Sequence, residues 1–272
     1  MGFRYKAKLE KSPILSISKA NTLKGNLAHR FFELILQEDF SQWTFDDVKN
    51  WVDENSRSMF KREAATLLMY GFEPEKLQLI WKIKTAIWTL IEHIRRNKWQ
   101  VEGTELGLYG KFGNTPVKGK ADLVLLRGAE RCVLDLKWAG HAYRERLIKN
   151  GEDLQLVMYS KLLTDDEDWA HTGYFIIENA RLLARNTAAF AEIKPLAAAD
   201  DAFAINQDIW KKMLATYNWR LKQVIEGHIE IRMTKTVRDL EERYGMELLD
   251  VLEMKNEESR FDDYRTLIGL VK

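Results

Sequence analysis

Residues 118–137 read KGKADLVLLRGAERCVLDLK: two short apolar runs around a polar turn, with charge where a buried strand should carry none. Asp122 opens the first run, and Asp135 and Lys137 close the second. With the turn at Arg127–Glu130, Leu126 faces Arg131, and the antiparallel ladder carried back sets Asp122 opposite Asp135. Directly opposed residues project from one face of a sheet, with Cβ atoms about 4.5–5.5 Å apart. Alternation adds Lys137 to that face and turns Leu134 and Leu136 to the other. Opposed carboxylates repel. A hard divalent cation such as Mg2+ relieves the repulsion, because it takes carboxylate oxygens and keeps several waters. The plainer reading is a solvated hairpin face on which Lys137 pairs with one acid.

An acid two residues before a lysine is not informative by itself, and the chain supplies its own controls. Asp47–Lys49 and Glu253–Lys255 lie in amphipathic helical patterns, where a charge pair is a solvated face. Glu192–Lys194 has no partner carboxylate on a preceding strand. The pair at Asp135 and Lys137 differs in having one.

The elements that hold this hairpin follow from periodicity. Residues 22–38 have apolar positions at helical spacing. Thr44 with Asp47 forms an acidic capping-box pattern that opens a helix to about residue 54, and another runs over about 56–70 to Gly71. Pro74 to Asn97 is a long helix with proline early and Arg95 and Arg96 in its last turn. From Trp99 to Lys137 the pattern alternates between glycines and predicts three antiparallel strands. Helix returns over 152–163 and strand over 171–178, with a further strand near 188–194. Residues 205–226 and 234–254 read as helices. The fold class is α/β of the mixed α+β kind, a small mixed sheet flanked by helices. A helical part spans 1–98, a core about 99–195 and a second helical part 196–272, in one domain over 1–272.

Composition excludes more than it assigns. A net charge of +1 on 272 residues announces neither nucleic acid nor membrane, so an anionic partner must be met by local charge. The single cysteine, Cys132, excludes a disulfide framework, a cysteine zinc site and a four-cysteine iron–sulfur cluster within the chain. No apolar run is long enough for a membrane span, and MGFRYKAKLEK lacks the apolar core of a signal peptide, so the cytoplasm is the expected compartment. No phosphate-binding loop of the Gly-x-x-x-x-Gly-Lys-[Ser/Thr] kind appears, so no nucleotide cofactor or motor is expected here.

Gly119-Lys-Ala-Asp122 followed by Asp135-Leu-Lys137 resembles the core of the PD-(D/E)XK nuclease superfamily. Gly25-Asn-Leu-Ala-His29 resembles the Gly-x-x-x-His motif of its RecB-like branch, the nuclease domains of RecB and AddB. Gln155-Leu-Val-Met-Tyr159 resembles the Gln-x-x-x-Tyr motif of that branch. Ala121 stands where the superfamily's name has proline. The resemblance implies a restriction-endonuclease-like core and a nuclease dependent on Mg2+ or Mn2+, acting on single- or double-stranded DNA. A helicase or other motor subunit would be a plausible partner, since the chain has none of its own. Its implied metal ligands are His29, Asp122, Asp135 and the Leu136 backbone carbonyl, with Glu105 as an auxiliary. Lys137 would position the attacking water, and Gln155 and Tyr159 would support the site and touch the nucleic-acid backbone. Glu102 alternates to the other face from Glu105 and is set aside.

Arg144, Arg146 and Lys149, a basic run just past the hairpin, read either as a solvated face or as phosphate contacts. His93, His141, His171 and His228 read as structural, Trp81 and Trp88 as core packing, and Asp262 and Asp263 as surface. The rival from another class is a nucleic-acid-binding or assembly module on the same fold that does not cut.

Overall fold

The computed structural model describes residues 20–164, 169–197 and 202–228, together with Glu242 and Gly245. Three helices come first. Helix α1 (Ala20–Ile35) buries Leu27, Phe31, Phe32 and Ile35, the stripe a helix presents to a core. Helix α2 (Phe45–Glu63) opens on the expected capping box, with the Thr44 amide donating to Asp47 Oδ2 at 2.7 Å and the Asp47 amide to Thr44 Oγ1 at 3.4 Å. The break expected after residue 54 is absent. Val48, Val52, Met59 and Phe60 stay on one buried face, so the helix runs on to Glu63, and a 3-10 turn at Ala65–Leu68 closes it. Helix α3 (Glu73–Arg96) has Pro74 in its first turn and Arg95 and Arg96 in its last, as expected.

The sheet has five strands in the order β1-β2-β3-β4-β5: Gln100–Phe112, Thr115–Arg127, Glu130–Lys137, His171–Ile176 and Arg181–Ala184. The three consecutive strands β1, β2 and β3 are antiparallel, β3 and β4 are parallel, and β5 returns antiparallel to β4. A parallel neighbour needs a crossover. Helices α4 (His141–Lys149) and α5 (Leu154–Leu163) supply it. The strand expected near 188–194 is not there; β5 lies earlier, at Arg181–Ala184. In the 188–194 loop, side chains rather than a ladder satisfy the backbone: Trp99 Nε1 donates to the Ala189 carbonyl at 2.7 Å, and the Ala191 amide donates to Asn97 Oδ1 at 2.9 Å.

Helices cover both faces. Leu123, Leu125, Leu134, Leu136 and Phe175 pack with Phe31, Phe32, Phe60, Ile83 and Ile87 of α1–α3. On the other face, Val124 and Val133 lie with Tyr159, Leu162 and Leu163 of α5, and Tyr174 and Leu183 with Ile148 of α4 and Leu156 of α5. A buried ion pair fixes the start of α5. Arg185 NH2 donates to Asp153 Oδ1 at 2.6 Å while Arg185 NH1 takes the Ile148 carbonyl at 3.1 Å. Helix α6 (Ala202–Ile225) follows, and its Asn206 Oδ1 accepts from Arg185 Nε at 3.4 Å. Backbone proximity divides the chain into two compact units, Ile17–Trp210 and Met1–Ser16 with Lys211–Lys272; the sheet belongs wholly to the first. The expected helix over 234–254 and the Asp262–Asp263 pair lie outside the described residues. Among the described residues no helix is long and apolar enough to cross a membrane.

Candidate active site

The hairpin turn falls where expected. Arg127 pairs with Glu130 and Leu126 with Arg131, and the ladder continues to Leu123 and Leu134. There it stops, and the expected rung between Asp122 and Asp135 does not form. Instead Asp122 Oδ2 accepts the Leu136 amide at 2.7 Å. The carboxylate takes the donor that a carbonyl of β2 would otherwise satisfy.

A second irregularity sits one strand away. Thr104 pairs with Leu123 and Leu106 with Ala121, which leaves Glu105 and Asp122 facing each other between the rungs. Thr104 Oγ1 donates to the Glu33 carbonyl of α1, yet Leu106 packs with the cluster under α5. Likewise Leu123 belongs to the α1–α3 side and Ala121 to the α5 side. Two residues apart on a regular strand should share a face. Both strands therefore switch face at this level, and Glu105, at φ 51, carries the left-handed conformation that lets β1 do it. The two carboxylates sit at the switch.

Helix α1 delivers the third group. His29 sits half-buried at the edge of the stripe that docks α1 against the sheet, and its Nδ1 stands 3.8 Å from Asp122 Oδ1 and 4.0 Å from Glu105 Oε1. One donor atom from each of His29, Glu105 and Asp122 lies within 4.8 Å of the others. One turn earlier, α1 packs beside Trp138 at Gly25, where an added Cβ would make an ordinary 3.7 Å contact with the Trp138 Cβ. The cluster opens onto a cleft of about 810 Å³ lined by Asn26, His29, Arg62, Glu105, Lys137 and Trp138, among others.

Asp135 and Lys137 stand beside this cluster rather than in it. Lys137 Nζ donates to Asp135 Oδ1 at 2.9 Å and lies 2.8 Å from Oδ2. Asp135 is 1% exposed, and no hydrogen bond is aligned on its buried Oδ2. Burial above all, with the neighbouring Asp135, raises the Asp122 carboxyl to about 6 against the opposing effects of His29, Lys137 and the Leu136 amide. A buried carboxyl made hard to ionise beside a second acid is one that a bound cation would help to ionise.

Gln155 and Tyr159, four apart on α5, are joined by a 3.1 Å hydrogen bond from Gln155 Nε2 to the Tyr159 hydroxyl. The Tyr159 ring lies against Gly119, where an added Cβ would come within 2.8 Å of it. The basic run proves to be α4, a helix the sequence pattern did not show. Lys149 is held by Glu145 at 2.5 Å. Arg146 is exposed beside the Tyr143 ring, and Arg144 lies between Tyr143 and Tyr174 with its Nε buried and unbonded. Neither arginine has a carboxylate partner among the described residues. The histidines set aside as structural pair with acids: His93 with Glu192, His171 with Glu130, His141 with Glu145. Glu102, also set aside, forms a bidentate pair with Arg131 at 3.0 and 3.1 Å. Trp88 packs on the core, but Trp81 is 58% exposed with its edge on Phe45, which corrects the expectation of core packing for it. Arg62, Asn21 and Asn26 line the cleft although no sequence motif contains Arg62 or Asn21; their helices show only amphipathic periodicity.

A model of the PD-(D/E)XK nuclease superfamily matches residues 2–247. The chain belongs to that superfamily. Comparison with curated proteins finds no match. Membership agrees with the five-stranded mixed sheet between helices and makes a nuclease the activity indicated. Nucleases of this superfamily use divalent metals, and the residues present suit one: an imidazole and two carboxylates, with the buried Asp135 carboxylate beside them, are ligands for a hard or borderline cation.

Proposed function

We propose that this PD-(D/E)XK chain is a metal-dependent nuclease of the RecB-like branch that hydrolyses phosphodiester bonds in DNA. The observation that carries the reading is the convergence of His29, Glu105 and Asp122 beside the Asp135–Lys137 pair at the mouth of an open cleft. The branch assignment rests on His29 joining that cluster from α1 and on the Gln155–Tyr159 bond over Gly119. The match across 2–247 supports treating 1–272 as one nuclease domain.

His29, Glu105, Asp122 and Asp135 would hold Mg2+ or Mn2+, which when bound supplies a polarised phosphoryl oxygen and a more acidic water. The Leu136 carbonyl joins them: in an extended strand the amide and carbonyl of one residue point to the same side, and the Leu136 amide already points at Asp122. Asp135 fixes Lys137 at 2.9 Å, so the ammonium is held in place to orient the attacking water and offset charge building on the phosphoryl oxygens. Gln155 and Tyr159 brace β2 from behind Gly119, and Arg144, Arg146 and Lys149 contact phosphates flanking the scissile one.

The test is incubation with single- and double-stranded DNA in Mg2+ or Mn2+, beside Asp135→Ala and Lys137→Ala. Metal-dependent cleavage that falls at least ~100-fold in each variant is expected. No cleavage, or cleavage that survives both substitutions, refutes the reading.

A further inference from the structure

The strands β1 and β2 run past the site as a long two-stranded ribbon. Its rungs place Gly107 opposite Lys120, Tyr109 opposite Lys118 and Lys111 opposite Pro116. These six positions share one face, because opposed residues project together and every second residue along a strand follows them. The intervening positions form the other face, which is occupied: Leu108 is buried, Gly119 lies under Tyr159, Gly110 under Leu162, and Phe112 packs edge-on against Trp210.

The outer face carries Lys111, Lys118, Lys120 and Tyr109, and no acid. Lys120 reaches Glu105 at 2.5 Å, so the row begins at the metal-ligand cluster itself. Lys111 and Lys118 are exposed and have no carboxylate partner among the described residues. Tyr109 is 76% exposed, and its ring rests on Gly107, where an added Cβ would stand 3.2 Å from it. The ring is thus in contact with the ribbon while most of its surface stays open. Lys111 lies six residue steps along β1 from Glu105, about 20 Å of strand.

We propose that this outer face is a track for single-stranded nucleic acid leading into the site. The inference rests on the nuclease reading for its direction, though not for the binding it predicts. Unpaired ammonium groups at alternate positions meet successive phosphates, and a supported, exposed aromatic ring offers a platform for an unstacked base. A duplex offers no such base, so the ring favours a single strand over paired DNA.

Binding of a fluorescent mixed-sequence oligonucleotide is measured in chelator, so that no cleavage intervenes, for the full chain and for variants with wild-type far-UV circular dichroism. Lys111→Glu/Lys118→Glu is expected to raise the Kd for the single strand at least ~10-fold and to flatten its log–log salt slope by about 1.4, two contacts at about 0.7 each. A charge-matched control, Lys211→Glu/Lys222→Glu on α6, is expected to change it less than about threefold. Tyr109→Ala is expected to weaken the single strand roughly tenfold and a blunt duplex hardly at all. Equal losses in ribbon and control variants, or a Tyr109→Ala effect that is absent or the same on duplex, overturn the track. Loss of binding in the ribbon variants of a protein that proves not to cleave keeps the track and sinks the nuclease. Cleavage by a protein whose ribbon variants bind like wild type does the reverse.

Discussion

Asp122→Asn should make the metal-free protein more stable while abolishing its activity. Asp122 has 16% of its side chain exposed, and burial lifts its carboxyl from 3.8 to about 6. A raised folded-state value means the folded protein holds a proton that the unfolded chain has already released between about pH 4 and pH 6. Stability therefore falls as pH rises through that window and levels off above it. The shift of about 2 units corresponds to roughly 3 kcal/mol at neutral pH. Asparagine keeps the acceptor for the Leu136 amide, which Asp122 Oδ2 now takes at 2.7 Å, and removes the charge. Urea or thermal unfolding in chelator at pH 4 and pH 8 measures the difference. Near pH 4 wild type and variant should be close; at pH 8 the variant should be the more stable, by up to about 3 kcal/mol, near 6 °C in Tm for a chain of this size. Divalent metal at about 100 times its Kd should stabilise wild type by roughly 2.7 kcal/mol and leave the variant where it was. A variant less stable than wild type at pH 8, or one that loses stability between pH 4 and pH 8 as steeply as wild type, refutes the assignment of that cost to Asp122.

Two substitutions probe the scaffold that presents the site. Gly119→Ala puts a Cβ 2.8 Å from the Tyr159 ring, which is pinned by Gln155, whereas at Gly110 the nearest atom, at 2.5 Å, is the free end of Leu162. Gly119→Ala should thus cost about 1–3 kcal/mol and lower cleavage, and Gly110→Ala distinctly less, in the same unfolding and nuclease assays. Arg185→Met leaves Asp153 buried without its 2.6 Å partner and should destabilise by about 3–5 kcal/mol at pH 7; adding Asp153→Asn should recover part of that loss in chemical denaturation, because the stranded charge is then gone.

Much of this was legible in the residues because the signals were local. The Arg127–Glu130 turn, the Thr44–Asp47 capping box and the α3 boundaries each depend on a few neighbours, and the structure shows them as expected. Two elements were hidden for a physical reason. Helix α4 buries only Leu147 and Ile148, too few to print a period, so its arginines read as a bare basic run. The segment 188–194 alternates like a strand, but Phe190 is a plug in the core and its backbone bonds go to Trp99 and Asn97. The four residues of β5 are shorter than any alternation test can resolve.

The site itself departs from the ladder reasoning in an instructive way. Regular alternation places Asp122 over Asp135 and leaves Glu105 an outside candidate; the structure instead joins Glu105 and Asp122 to His29 and sets Asp135 beside Lys137. The reason is the switch of face that both β1 and β2 make between Thr104–Leu123 and Leu106–Ala121. A sheet that kept its period there would turn Glu105 and Asp122 together toward the α5 side, away from His29. Breaking it turns two acids toward α1, and the costs are visible: a left-handed Glu105, a missing rung that Asp122 closes with its own side chain, and a carboxyl held near 6. None of these helps the metal-free fold, and a cation at the cluster would relieve the electrostatic one. Lys120, two residues from Asp122 on β2, follows the acids to that side, and its ammonium reaches Glu105 from the ribbon. A chain that restored the alternation would be the more regular protein and would lose the meeting of Glu105 and Asp122 with His29.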